Sequence, residues 1–245
     1  MLKNKTILSI SLFLLFGFFN CSTFFINEEE KTKETIQHLR DRGYRMRNIS
    51  SSEKDAIPNN LSQTHSVYQG GDFIKICSLR QIKNIDFERT ELPTFTDKEI
   101  EACSQMELEW LSIFKVKMNK DAFCKITNTF RNSLLKFDVS ESGLSDEMMP
   151  CISKLQRLNF LLIGRGSNIS KDSFCKTLLS LPNLQFIRIE DTDLPKSALQ
   201  CILDHPNLNE IWLRSWKNAS YDDKDALIKA YEKKYQRKIK FNLYD

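Results

Sequence analysis

The sequence predicts an α/β horseshoe solenoid, with parallel strands on a concave face and short helices on a convex face. Three observations predict it. An apolar-x-x-apolar-x-apolar pattern occurs six times: Ile82-Ile85-Phe87, Leu108-Leu111-Ile113, Leu134-Phe137-Val139, Leu158-Leu161-Ile163, Leu184-Ile187-Ile189 and Leu208-Ile211-Leu213. Successive copies begin 26, 26, 24, 26 and 24 residues apart, and units of that size cannot bury an apolar face alone, so they must stack on one another. Each triplet leads into a turn and a helical stretch, and a strand, turn and helix in that length make each strand parallel to the last.

The elements follow in chain order. Residues 1–20 read as a signal peptide: a short basic start from Met1 to Lys5, then fourteen nearly all apolar, uncharged residues from Thr6 to Phe19, then Asn20 and Cys21. As a helix the run spans ~21 Å against a hydrocarbon core of ~30 Å, too short for a comfortable membrane span. Residues 21–71 are polar and rich in breakers, including Pro58-Asn-Asn and Gly70-Gly71, and read as a tether or an N-terminal cap. Within them Thr32 to Arg42 is a short helix candidate whose Ile36 and Leu39 form a narrow apolar edge. The repeat domain occupies 72–245. Leu92, Leu144, Ile169 and Leu194 mark its turns. Thr96-x-x-Glu99 reads as a capping box; Ser145-Asp146-Glu147 and Ser220-x-x-Asp223 are comparable helix starts. Apolar helices at Phe174–Leu179 and Ala198–Leu203 end at Pro182-Asn183 and Pro206-Asn207. A helix from Asp222 to Tyr235 and a strand at Phe241-x-Leu243 close the stack, since terminal units must present an outer face to water.

These units resemble the leucine-rich repeat family, in the subclass with helices on the convex side. The resemblance covers roughly Asp72 to Leu243 and is best in LNFLLIGRGSNISKDSFCKTLLSLPN (Leu158–Asn183) and LQFIRIEDTDLPKSALQCILDHPN (Leu184–Asn207). The family's Asn or Cys after the strand is mostly missing, and its Leu is often Ile, Val or Phe. The N-terminus in turn resembles a bacterial lipoprotein signal in which Cys21 becomes the acylated first residue. Phe18, Phe19 and Asn20 depart from the usual small-residue box, a departure that spirochaete-type lipoprotein signals tolerate. A plain secretory signal is the alternative. The resemblance implies an envelope protein lipid-anchored to a membrane, the outer membrane favoured, or else a secreted or periplasmic one.

Six cysteines remain: Cys77, Cys103, Cys124, Cys151, Cys175 and Cys201. An even count in an exported chain invites a disulfide framework. Cys151, Cys175 and Cys201, however, each fall 17 residues after the first apolar residue of their unit. On neighbouring helices ~8–10 Å apart they would be too distant for a disulfide, whose Cα atoms lie ~4.4–6.8 Å apart. The expectation is three reduced, buried thiols.

Between the buried strand positions, side chains point out of the core into the concavity. These are Asn84, Asp86 and Glu88; Trp110, Ser112 and Phe114; Lys136, Asp138 and Ser140; Phe160, Leu162 and Gly164; Phe186, Arg188 and Glu190; Glu210, Trp212 and Arg214. Aromatic and Arg side chains dominate interface energetics, so Trp110, Phe160, Leu162, Phe186, Arg188, Trp212 and Arg214 are the candidate protein-binding residues. The alternatives are that residues 22–70 or a second copy cover this face, or that the register slips by one.

Other classes of function find little support. Formal net charge is +4, and Lys3 and Lys5 precede the cleavage site, which leaves 34 bases against 32 acids and no nucleic-acid footprint. The basic stretch between Lys229 and Lys240 reads as a solvated helix face. The three histidines are scattered and no Cys-x-x-Cys occurs, so no metal or cofactor is expected. Neither a phosphate loop nor a Ser-His-acid grammar appears, and Asp86 and Asp138 read as solvated strand charges. The Asn-x-Ser sequons have no role behind a bacterial-type signal. The expectation is a recognition module, not an enzyme, that binds a protein partner and, through its anchor, a membrane, with no small-molecule substrate evident. The alternative is a structural envelope lipoprotein that self-associates or scaffolds; an enzyme with a site on loops is a distant third.

Overall fold

The computed structural model describes residues 28–47, 58–64, 71–88 and 96–244; the signal region, Cys21 and Leu92 lie outside them. The chain divides into two units, residues 1–42 and 43–245. The described part of the first is a helix, α1, over residues 28–41. It starts earlier than the expected Thr32, and the Glu29–Lys33 ion pair (2.7 Å) spans one of its turns.

The second unit is built on one nine-stranded sheet whose spatial order is its chain order. The strands are β1 (Arg45–Arg47), β2 (Asn60–Thr64), β3 (Asn84–Glu88), β4 (Trp110–Ser112), β5 (Lys136–Asp138), β6 (Phe160–Ile163), β7 (Phe186–Glu190), β8 (Glu210–Arg214) and β9 (Lys240–Tyr244). β1 pairs antiparallel with β2, and every later pair is parallel. The return paths carry helices α2 (Asp72–Ser78), α3 (Asp97–Cys103), α4 (Lys120–Thr129), α5 (Met149–Ile152), α6 (Lys171–Leu179), α7 (Leu199–Asp204, entered through a 3₁₀ turn at Lys196–Ala198) and α8 (Tyr221–Tyr235). This repeated strand–turn–helix unit on a mostly parallel sheet is leucine-rich-repeat-like. The sheet begins before the first apolar triplet, because β2 and Leu61 continue the pattern: Leu61 pairs with Ile85 and is fully buried.

The apolar triplets form the core as spaced. Ile85, Leu111, Phe137, Leu161, Ile187 and Ile211 pair in sequence across six strands and all are buried, as are Ile82, Leu108, Leu134, Leu158, Leu184 and Leu208 just before them. Stacking units continue this layer because each apolar row is one strand spacing, ~4.8 Å, from the next. Among the described residues the row ends at Phe241, which pairs with Ile211 and is 47% exposed.

Four helix starts, those of α3, α4, α6 and α8, are set by side chains that accept orphan backbone N–H groups. Thr96 and Ser220 form full capping boxes with Glu99 and Asp223, as expected; Asn119 and Ser170 cap α4 and α6 through Ala122 N and Ser173 N. Ser145-Asp146-Glu147 does not start a helix. α5 begins only at Met149, because Ser145 bridges to Asn168 and the Asp146 carboxylate accepts from Ser170 N (2.7 Å) at the start of the next unit. Side chains also tie the turns after the strands. Trp216 Nε1 donates to Leu194 O (2.7 Å) and Asn218 Nδ2 to Asp193 O (2.8 Å).

The cysteine expectation is overturned. All six are paired, as Cys77–Cys103, Cys124–Cys151 and Cys175–Cys201, with Cα–Cα distances of 4.8, 5.2 and 5.2 Å. The ~8–10 Å spacing belongs to helix axes. Each helix carries its Cα atoms on a cylinder of ~2.3 Å radius, so two facing residues approach to roughly 3.4–5.4 Å, within disulfide range. The bridges join α2 to α3, α4 to α5 and α6 to α7, stapling the units two by two.

At the C-terminal end Tyr231 is completely buried. Its hydroxyl donates to His205 O (2.7 Å) and accepts from Leu208 N (3.0 Å) and Arg237 (3.1 Å). It thus joins α8 to the loop before β8. Tyr231→Phe should leave these groups short of a partner inside the core and cost about 1–3 kcal/mol. Chemical denaturation would check this; a midpoint unchanged from the native protein would show that the hydroxyl is dispensable.

Candidate functional site

Helices cover one face of the sheet, so strand side chains alternate between core and open face. In β3 and β7 the burial pattern is strictly alternating, with Ile85, Phe87, Ile187 and Ile189 inside. Two rows run across the open face. The first is Asn84, Trp110, Lys136, Phe160, Phe186 and Glu210; the second is Asp86, Ser112, Asp138, Leu162, Arg188 and Trp212. The register is therefore the one the triplets imply; a one-residue slip would have put Asp86, Asp138 and Arg188 in the core.

Most of the candidate residues come together over β6, β7 and β8. Phe160 and Phe186 stack with ring centroids 4.3 Å apart, and Trp212 tilts against Phe186 at 5.5 Å. The Arg188 guanidinium lies over the Trp212 ring at 5.1 Å, within cation–π range. Leu162 is buried beside Arg188. Glutamates hold the polar tips: Arg188 Nε donates to Glu190 (2.8 Å), Trp212 Nε1 to Glu210 (2.6 Å), and Glu210 also meets Lys240 (2.9 Å). Arg214 is exposed and approaches Glu190 at 4.0 Å. Trp110, 37% exposed, stands apart, two strands from Phe160, with Lys136 between them and its Nζ 5.6 Å from the Trp110 ring.

The other half of the face is acidic and differs from expectation. Asp86 and Asp138 are half-buried, not solvated. Burial pushes the Asp86 carboxyl above its ordinary pKa, a hydrogen bond from Ser112 opposes this, and the Glu88 charge adds to it. Its Oδ1 is buried without a hydrogen-bond partner among the described residues. Burial also raises Asp138; hydrogen bonds from the Ser140 hydroxyl (2.7 Å) and N–H (2.9 Å) and the charge of Arg188 pull it down, while the charge of Asp86 pushes it up. Gly164 makes this arrangement possible. A Cβ there would meet Ser140 Cβ at 2.8 Å, so only glycine leaves Ser140 in place to hold Asp138. The signal for this pair was present in the sequence, as two Asp at the same position of units two repeats apart.

A carboxyl whose folded pKa is raised contributes stability in acid that is lost as pH rises through that folded value. At neutral pH, Asp138→Asn should therefore raise the melting temperature, since its Oδ1 can still accept from Ser140. The gain should close as the pH falls toward the carboxylate range. Melts of both proteins across pH check this, and a variant less stable than native at neutral pH would contradict it.

Among the described residues no group of three or more His, Cys, Asp or Glu is placed to hold a metal ion, and no helix is long and apolar enough to cross a membrane. No family model matches the chain, and no curated protein matches it. Among solved structures the chain is similar to a chain of the "Octameric complex of Latrophilin 3 (Lec, Olf), Unc5D (Ig, Ig2, TSP1) and FLRT2 (LRR)", at 12% identity and a TM-score of 0.40, over 74% of this chain and 67% of that one.

Proposed function

We propose that the chain is an exported leucine-rich repeat protein, anchored by a lipid on Cys21, whose sheet is the concave face of a horseshoe and recognises a protein partner. The carrying observation is the cluster of Phe160, Phe186, Trp212 and Arg188 on the open face, with Arg188 and Trp212 held by glutamates. Such side chains are the commonest interface anchors, and fixing them before contact lowers the entropy cost of binding. Six strands from β3 to β8 span ~24 Å at ~4.8 Å per gap, which supplies much of the ~800 Å² each partner gives a standard interface. The three disulfides support export, since such bonds persist in oxidising compartments.

The test uses the full chain as bait in a pull-down from envelope extract, beside a Phe186→Ala/Trp212→Ala variant. A partner held by the native protein should be weakened by ~2 kcal/mol or more in the variant, about thirtyfold in Kd. Partners indifferent to the two substitutions would refute the reading. Concentration-dependent self-association lost in the variant would replace it with the scaffolding one. Acylation has its own test: detergent-phase partitioning and intact mass should show a lipid-modified Cys21, against a free N-terminal amine on protein released into the medium.

A further inference from the structure

Charge on the open face is settled in one half and unsettled in the other. Over β7, β8 and β9, Glu190 pairs with Arg188 and Arg214, and Glu210 with Lys240. Over β3 to β5, Asp86 and Asp138 flank Ser112 on consecutive strands, and no salt bridge among the described residues reaches either carboxylate. Lys136, the near cation, points at the Trp110 ring. Arg188 is felt by Asp138 but is committed to Glu190. Asp86 keeps a buried oxygen with no donor among the described residues, and its carboxyl is hydrogen-bonded by Ser112, which is 4% exposed and floors the gap between the two acids. Leaving two half-buried carboxylates two strand gaps apart, with no salt bridge to either, costs the free protein stability, and an incoming N–H donor of positive charge would recover it.

We propose that the partner segment is cationic: a Lys or Arg side chain enters above Ser112 between Asp86 and Asp138, and a large apolar side chain of the same segment lies on Phe160, Phe186 and Trp212. This rests on the open face being the recognition surface. A cation centred over Ser112 lies one strand gap, ~5 Å, from each acid. From β4 to the aromatic strand β7 is three gaps, ~14 Å. An extended segment crossing the strands covers that in about four residues at ~3.3 Å each. The face therefore reads two features with a spacing: a basic residue, and an aromatic or aliphatic one about four positions away. Its net acidity in this half selects against nucleic acid, whose phosphates would meet Asp86, Glu88 and Asp138.

The test is selection of a random phage-displayed dodecapeptide library on the full-length protein, followed by titration of the selected peptides as synthetic compounds. Sequences carrying a Lys or Arg about four positions from a large apolar residue should be enriched. Their affinity should fall at least tenfold with Asp86→Asn/Asp138→Asn and also with Phe186→Ala, and should weaken as sodium chloride is raised. Because Asn keeps the shape of each acid, thermal melts of the double variant should show a folded protein, and a peptide reading only the aromatic cluster should still bind it. Enriched peptides that lack a basic residue, are unaffected by the Asn pair and yet are lost with Phe186→Ala would overturn this inference and leave the recognition face standing. Peptides indifferent to both sets of substitutions, or no enrichment at all, would overturn both.

Discussion

Reduction of the three disulfides should unfold the repeat stack under conditions where the oxidised protein is native. Each bridge links residues 26 or 27 apart, and closing a loop of that length is worth about 3.5 kcal/mol in the chain-entropy account. Three such bridges approach the whole stability of an ordinary domain, ~5–15 kcal/mol. The physical reason is the geometry of a stack: each unit touches only its neighbours, so a cross-link between adjacent helices acts on the contact that holds the array together. Accessibility should order the reduction. Cys77 and Cys103 are 2% and 0% exposed, whereas Cys124, Cys151 and Cys175 are half-buried. Cys124–Cys151 and Cys175–Cys201 should open first in a dithiothreitol titration, and Cys77–Cys103 last. Alkylation mapped by mass spectrometry, with circular dichroism on the same samples, reads both effects. Six alkylated thiols in denaturant without reductant, or an unchanged melt after complete reduction, would contradict the framework.

The strand side of this fold was legible in the sequence and the helix side was not, for one reason. A strand face is defined by a period of two, and the six triplets fix which residues point in. The pairing of Phe160 with Phe186 and of Leu162 with Arg188 and then Trp212 follows from aligning those triplets alone. The helices are short, α5 only four residues, and their mutual approach depends on which turn faces its neighbour, which no period encodes. Hence the shared position of Cys151, Cys175 and Cys201 points to separate thiols, whereas the helices bring each of them against a neighbouring cysteine. Strands β1 and β2 carry no triplet; β2 is revealed by its pairing with β3, and β1 by its pairing with β2. The acidic pair was visible as a position but not as an environment. Nothing in the local sequence of Asp86 says that its carboxylate is half-buried, since that burial comes from neighbouring strands. Ser140 and Gly164, which set Asp138 in place, come from the same strand's end and from the next unit.

Replacing Ile187 by Ala should cost more stability than replacing its neighbour Phe186, although the larger side chain is the one removed from Phe186. Ile187 is fully buried between Leu161 and Ile211, and close packing leaves its cavity only partly able to collapse, so the expected loss is about 2–5 kcal/mol. Phe186 is half-buried on the open face and loses chiefly its ring contacts to Phe160 and Trp212, worth about 0.5–1.5 kcal/mol each. At ~2–4 °C per kcal/mol for a domain of this size, paired thermal melts separate the two. For binding the order should reverse, Phe186→Ala weakening a bound partner by ~2 kcal/mol or more while Ile187→Ala, where still folded, binds normally. Such an inversion between adjacent residues is the mark of a side chain kept on the surface for contact, not for the core. If Phe186→Ala melts as low as Ile187→Ala, the aromatic cluster is a second core and the recognition face loses its anchor.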